Sequence, residues 1–152
     1  MAKHGLFLNN GCVAIAETDE EKNNLSNFWL GATVKTLTDD QFNDAASLKS
    51  VLSLNEGTVI STIEDDKVWY NDSSVNVENA KTEIQNLIND RFLAKLSPYC
   101  YANPNDSYWA DYKNKIEAVD VNSMSFPLSH ETFQEWFNNQ TGNPTKSILQ
   151  CP

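Results

Sequence analysis

Residues 76–98, "NVENAKTEIQNLINDRFLAKLSP", divide the chain into two kinds of pattern. Val77, Ala80, Ile84, Leu87, Ile88, Phe92 and Leu96 recur here at the three- and four-residue intervals that put side chains on one face of an α-helix. Asn76 can accept a hydrogen bond from the free N–H groups of a helix start, and Pro98 has no N–H with which to continue the helix. The spacing therefore predicts one long helix, capped by Asn76 and stopped by Pro98. Ahead of it strand and turn signals are mixed with helical ones; after it strand signals nearly vanish. The chain reads as α+β: a small mixed α/β N-terminal lobe with two hairpins (residues 1–73), then a mainly α-helical C-terminal lobe (residues 74–152). Together they are short enough to form one cooperative unit.

In the first lobe, "LFLNNGCVAIAE" (6–17) reads as a hairpin, with Asn10-Gly11 supplying the positive φ angles of a type I′ turn. Thr18 and Glu21 have capping-box spacing and should open a helix through "DEEKNNLSNFW" (19–29), ending near Gly31. "ATVKTL" (32–37) is a strand. Thr38 and Gln41 repeat the box, and Phe42, Ala45, Ala46, Lys49 and Leu52 extend a second helix through "DDQFNDAASLKSVLSL" (39–54). "GTVISTIEDDKVWYND" (57–72) closes the lobe as a second hairpin turning at Asp65-Asp66.

In the second lobe, "DSYWADYKNKIEAVDVNSMSFP" (106–127) places Trp109, Tyr112, Ile116 and Val119 on one helical face. "SHETFQEWFNNQTG" (129–142) reads as a last helix with Ser129 as cap, Phe133, Trp136 and Phe137 inward, and Gly142 as stop. Aromatic side chains at this spacing serve as core or as interface anchors, and the sequence leaves both readings open.

A net charge of −10, with Arg91 the one arginine, excludes general binding to phosphate backbones and disfavours anionic membranes. The acidic residues are interspersed with Lys, as on a solvated surface. No stretch approaches the roughly 20 apolar residues of a membrane span, and the apolar run in "MAKHGLFLNNG" is too short for a signal peptide. The Asn-x-Ser/Thr sites at Asn24, Asn71, Asn105 and Asn139 then meet no glycosyltransferase. Cys12, Cys100 and Cys151 lie at wide spacings that give neither a disulfide framework nor a metal knuckle, so reduced thiols are expected, with Cys151 on a frayed end.

Reaction chemistry is hard to place. His4 falls at the N-terminal end and His130 in the first turn of a helix, where a surface role is expected. Nothing flanking Cys100 lowers its pKa toward a nucleophilic pair with His130. Asp65, Asp66 and Asp72 lack the alternation of a calcium loop, and no phosphate loop or nucleophile elbow occurs. The expectation is a protein with no catalytic residues, metal or cofactor.

Residues 91–127, "RFLAKLSPYCYANPNDSYWADYKNKIEAVDVNSMSFP", resemble the C-terminal module of tail fibre assembly proteins (tail assembly chaperones) of tailed bacteriophages. Arg91, Leu93, Ser97 and Pro98 are similar to the module's opening, Trp109, Tyr112 and Lys113 to its Trp-x-x-Tyr-Arg step, and Phe126 and Pro127 to its closing Phe-Pro. The preceding "VKTLTDDQFNDAASLKSVLSLNEGTVI" with "DDKVWYND" resembles the family's Thr-capped helix and two-stranded segment, so the likeness covers roughly residues 33–127 at motif level. The chain departs from the family in lacking the Asp-Trp after the Ser, in carrying Lys113 for Arg, in lacking the Leu-Arg-Asp that follows, and in running on past the usual end. The resemblance implies a non-enzymatic phage tail or tail-fibre protein that binds a larger oligomeric protein of the fibre, baseplate or neck. It would be an adaptor or accessory subunit of the virion, or an assembly factor in the bacterial host cytoplasm. A capsid decoration or neck component and an acidic host-modifying binding protein are the alternatives. The expected partner-binding residues are Trp109, Tyr112, Phe126, Pro127, Trp136 and Phe137, with no nucleic acid or membrane among the partners.

Overall fold

The computed structural model describes residues 2–152 and shows an α+β protein, with strands and hairpins first and helices after them. The sequence reading cut the chain between residues 73 and 74; the two compact units part between Lys67 and Val68, and the first also takes Lys146–Gln150 and Pro152. Cys151 belongs to the second unit.

The first unit is built on a five-stranded antiparallel sheet in the order β3-β1-β2-β4-β5. β1 (Lys3–Leu8) and β2 (Gly11–Ala16) form the first hairpin, with Leu8 paired to Gly11. The turn residues are Asn9 (φ 51°) and Asn10 (φ 65°), one position earlier than Asn10-Gly11. Two adjacent Asn meet the type I′ requirement because their short polar side chains tolerate the left-handed region, which releases Gly11 into the strand. A register shift between Leu6 and Phe7 alters the alternation, so that Cys12 joins Phe7 and Ile15 on one face while Val13 joins Leu6 and Ala14 on the other.

Helix α1 (Asp19–Phe28) lays Leu25 over the face that carries Leu6, Ala14 and Ala16. Its cap departs from a capping box. Thr18 accepts the Glu21 N–H at 3.1 Å, but the Glu21 carboxylate accepts from the Glu17 N–H (2.8 Å), Lys146 (2.7 Å) and Gln150 (3.1 Å). Glu21 thus fastens the segment Lys146–Gln150 to α1. His4 is not on a loose end either: it is buried in β1, with Nε2 2.7 Å from Asp19 Oδ1. That hydrogen bond is the main reason the Asp19 carboxyl lies below its ordinary range.

β3 (Thr33–Leu37) leads into α2 (Asp39–Ala46), where the Thr38–Gln41 capping box is complete. Phe42 and Ala45 cover the other face of the sheet with Phe7, Ile15, Leu37 and Leu52. α2 ends eight residues before the helical spacing had carried it. Leu48 turns left-handed (φ 63°), and the N–H groups of Lys49 and Ser50 both return to Asp44 O. β4 (Val51–Asn55) then pairs with β5 (Thr58–Thr62) through a turn at Glu56 (φ 51°) and Gly57 (φ 80°). The second hairpin therefore lies at 51–62, not 57–72. Leu52 satisfies both the helical and the strand pattern, and ladder pairing with a Gly-containing I′ turn decides for the strand. Asp65-Asp66 make only a local turn, closed by Lys67 N–H to Glu64 O.

In the second unit, α3 (Val77–Leu87) starts at Asn76 as read. Ala80, Ile84, Ile88, Phe92 and Leu96 are buried, while Val77 is exposed. The helix does not stop at Pro98. It widens into a π-helical segment (Ile88–Leu93) and continues as α4 (Ala94–Ala102) with Pro98 inside. An interior Pro costs a helix about 3 kcal/mol, and burial of side chains such as Phe92 and Leu96, worth about 1.5–3 kcal/mol each, offsets it. α5 (Ser107–Glu117) and α6 (Phe133–Asn138) complete the unit. Among the described residues no helix is long and apolar enough to cross a membrane.

Candidate functional site

The aromatic residues of the second unit separate into core and surface. Asp106 caps α5 by accepting the Trp109 N–H (3.3 Å), and its other oxygen accepts the Tyr99 hydroxyl (2.6 Å), which joins α4 to α5. One turn apart on α5, Trp109 and Tyr112 pack with ring centroids at 4.9 Å, and Tyr112 meets Phe137 at 5.3 Å. Trp109 is 6% exposed; Tyr112 and Phe137 are 0% exposed. Burial takes these three off the surface. The Tyr112 hydroxyl accepts from Gln134 Nε2 at 2.9 Å, and burial pushes its pKa up.

α6 is capped by Thr132, which accepts the Glu135 N–H at 3.2 Å; the predicted cap, Ser129, instead bonds the His130 ring. Starting the helix three residues later puts Phe133 and Phe137, four apart, on the inward face. Phe92 meets Phe133 edge-on at 5.6 Å. Gln134 is wholly buried, and the sequence reading missed it; its spacing to Asn138, whose Oδ1 accepts from Gln134 Nε2 (2.9 Å), was the available signal. Trp136, expected inward, is only half-buried. Its indole stacks on Phe133 at 5.8 Å and 28°.

Phe126 and Pro127 follow the same division. Phe126 is half-buried, edge-on to Tyr70 at 6.5 Å, and Leu128 N–H to Tyr70 O and Tyr70 N–H to Glu131 O hold the loop around it. Pro127 is exposed.

Pro127 and Trp136 line a cleft of about 750 Å³ together with Lys115, Val119, Asp120 and Met124. It opens where α5 ends. Asp120 caps a 3₁₀ turn (Val121–Ser123), accepting from the Asn122 N–H (3.0 Å) and the Ser123 hydroxyl (2.8 Å). Buried Val121 and Met124 anchor this turn, which holds Asp120 at the rim. Lys115, Asp120 and Met124 were not picked from the sequence. The Asp-x-Asn-Ser capping pattern after α5 was legible there, but the proximity of that turn to Trp136 was not.

The chemistry of the remaining candidates is plain. The Cys100 thiol is raised, mainly by burial, which is opposite to what a nucleophile needs. No hydrogen bond joins it to His130 among the described residues. Cys151, expected on a loose end, is fully buried, and burial pushes its thiol up to about 12. No group of three or more His, Cys, Asp or Glu side chains gathers at metal-holding distance among the described residues. The cleft is lined by the Trp136 indole, by apolar Val119 and Met124, and by two charges of opposite sign, Lys115 and Asp120. Compared with known proteins, the chain matches no family model, no curated protein and no solved structure.

Proposed function

We propose that this chain is a non-enzymatic protein of a bacteriophage tail or tail-fibre apparatus that works by binding a larger oligomeric protein through the cleft at Trp136. One observation carries the binding site: of the aromatic anchors read from the sequence, Trp109, Tyr112 and Phe137 are sealed in the core, while Trp136 stands beside Pro127 on the wall of an open cleft. A half-buried Trp backed by Phe133 presents a large rigid surface that has little freedom left to lose on binding. The phage assignment is supported by the motif resemblance over residues 33–127, whose departures are the missing Asp-Trp, Lys113 for Arg, the missing Leu-Arg-Asp and the continuation past the usual end. In this reading the protein acts either as an adaptor retained in the virion or as a fibre assembly factor left behind in the host.

The test has two arms. Mass spectrometry of purified virions places the protein: low copy number marks an adaptor, absence an assembly factor, and abundance near that of the major capsid protein overturns a tail assignment. In the second arm, purified tail and fibre proteins are bound to the wild-type chain and to Trp136→Ala. A folded Trp136→Ala protein that keeps full affinity for its tail partner removes the cleft as the contact.

A further inference from the structure

Resting on that reading, we infer that the cleft takes an extended basic segment of the partner, with an arginine side chain laid against Trp136. Three features meet there. The indole has one face on Phe133, and the rest of the ring walls the cleft; Trp is the ring a cation prefers, and arginine, planar and weakly hydrated, is the cation that stacks best. α5 ends at the cleft, with Ala118 as its C-cap, and a helix C-terminus carries about half a negative charge on its free carbonyls. Asp120 stands at the rim, oriented by its two hydrogen bonds, and a carboxylate has acceptor sites to spare beyond those two.

Two cations oppose an arginine there: Lys115, and Lys81, whose Nζ donates to Asn122 O at 3.4 Å on the turn that Asp120 caps. Lys115 lines the same cleft and is the basic side chain in the last turn of α5, where its charge offsets the helix end, whereas Lys81 is outside the cleft lining. The long stem of Lys115 lets the ammonium swing clear, whereas Asp120 is held by its turn. At longer range the chain's net charge of −10 draws a basic segment in and repels an acidic one. An acidic ligand would have to use Lys115 and Lys81 against Asp120, the helix end and that field together.

The probes are hexa-arginine amide, hexalysine amide and hexaglutamate amide, titrated at low salt into the full-length ¹⁵N-labelled protein. The readouts are the Trp136 indole N–H and the backbone signals of residues 118–125. Hexa-arginine should shift these signals saturably and bind more tightly than hexalysine. Trp136→Leu and Asp120→Asn should each weaken it by about 2–5-fold, the size of an exposed cation–π contact or ion pair. Lys115→Gln should strengthen it by a similar factor. Spectral dispersion reports whether each variant is folded, and Asn at 120 keeps an acceptor for the turn.

The inference is overturned if hexaglutamate shifts the same signals, if Lys115→Gln weakens arginine binding, or if the shifts spread over the acidic surface unaffected by Trp136→Leu. A tail protein that binds through Trp136 but ignores Lys115 and Asp120 would end the arginine assignment and leave the proposed function standing. Site-specific arginine binding with no tail partner would do the reverse.

Discussion

Removing one oxygen atom, by Tyr112→Phe, tests how the second unit is packed. The ring keeps its neighbours, Trp109 at 4.9 Å and Phe137 at 5.3 Å, so no cavity forms. The change removes the hydrogen bond that the hydroxyl accepts from Gln134 Nε2 at 2.9 Å. Gln134 retains its bond to Asn138 at 2.9 Å, so the loss at neutral pH should be near a net hydrogen bond, about 1 kcal/mol, rather than the roughly 3 kcal/mol of a stranded buried donor. The gap closes with alkali. Burial raises the folded-state pKa of Tyr112 above its unfolded value near 10, so its contribution to stability is complete below about pH 10 and is lost as pH rises further. The loss runs at about 1.4 kcal/mol per pH unit while only the unfolded chain ionises. Phe has no such dependence. Urea denaturation at pH 7, 9 and 11 should show the variant about 1 kcal/mol less stable at the first two and level with wild type at the third. Tyr70 and Tyr99, also raised chiefly by burial, decline equally in both proteins and cancel. Stability curves that stay parallel from pH 7 to 11 would mean that the Tyr112 hydroxyl reaches water, and the packing argument would fail.

Trp109→Ala should lose about 3–5 kcal/mol, because its buried ring leaves a cavity, whereas Trp136→Ala should lose well under half of that; equal losses would place both indoles in the core. Thr38→Ala removes the acceptor for the Gln41 N–H and should cost about 1 kcal/mol in chemical denaturation, and an unchanged midpoint would show that the box adds nothing. Iodoacetamide should modify Cys151 only after unfolding, since its thiol is buried and raised to about 12, and mass mapping that finds Cys151 labelled at the native rate of Cys100 would contradict its docking.

Local rules were enough to read much of this protein from its sequence. The caps Thr18, Thr38 and Asn76 start the helices they were expected to start, since capping involves residues only three apart. The α+β class followed from the change of period near residue 76, and the inward faces of α3 and α5 from their 3.6-residue spacing. Where two local patterns competed, only tertiary pairing could choose. Residues 51–54 satisfy a helix and a strand alike, and the partner strand Thr58–Thr62 settles them in β4. Pro98 breaks a helix by local rule, yet α4 passes through it, with Phe92 and Leu96 buried ahead of it. Cys151 and His4 read as terminal and loose because docking of an end onto a core leaves no mark at the end itself. The cleft is the furthest from local reading. Trp136 and Phe137 are adjacent in sequence, equally aromatic and on the same short helix, and only the arrangement around α6 puts one in the core and the other beside Asp120 and Lys115 on a cleft wall. Sequence spacing determines which side chains share a face, but whether a face meets core or solvent depends on elements distant in the chain.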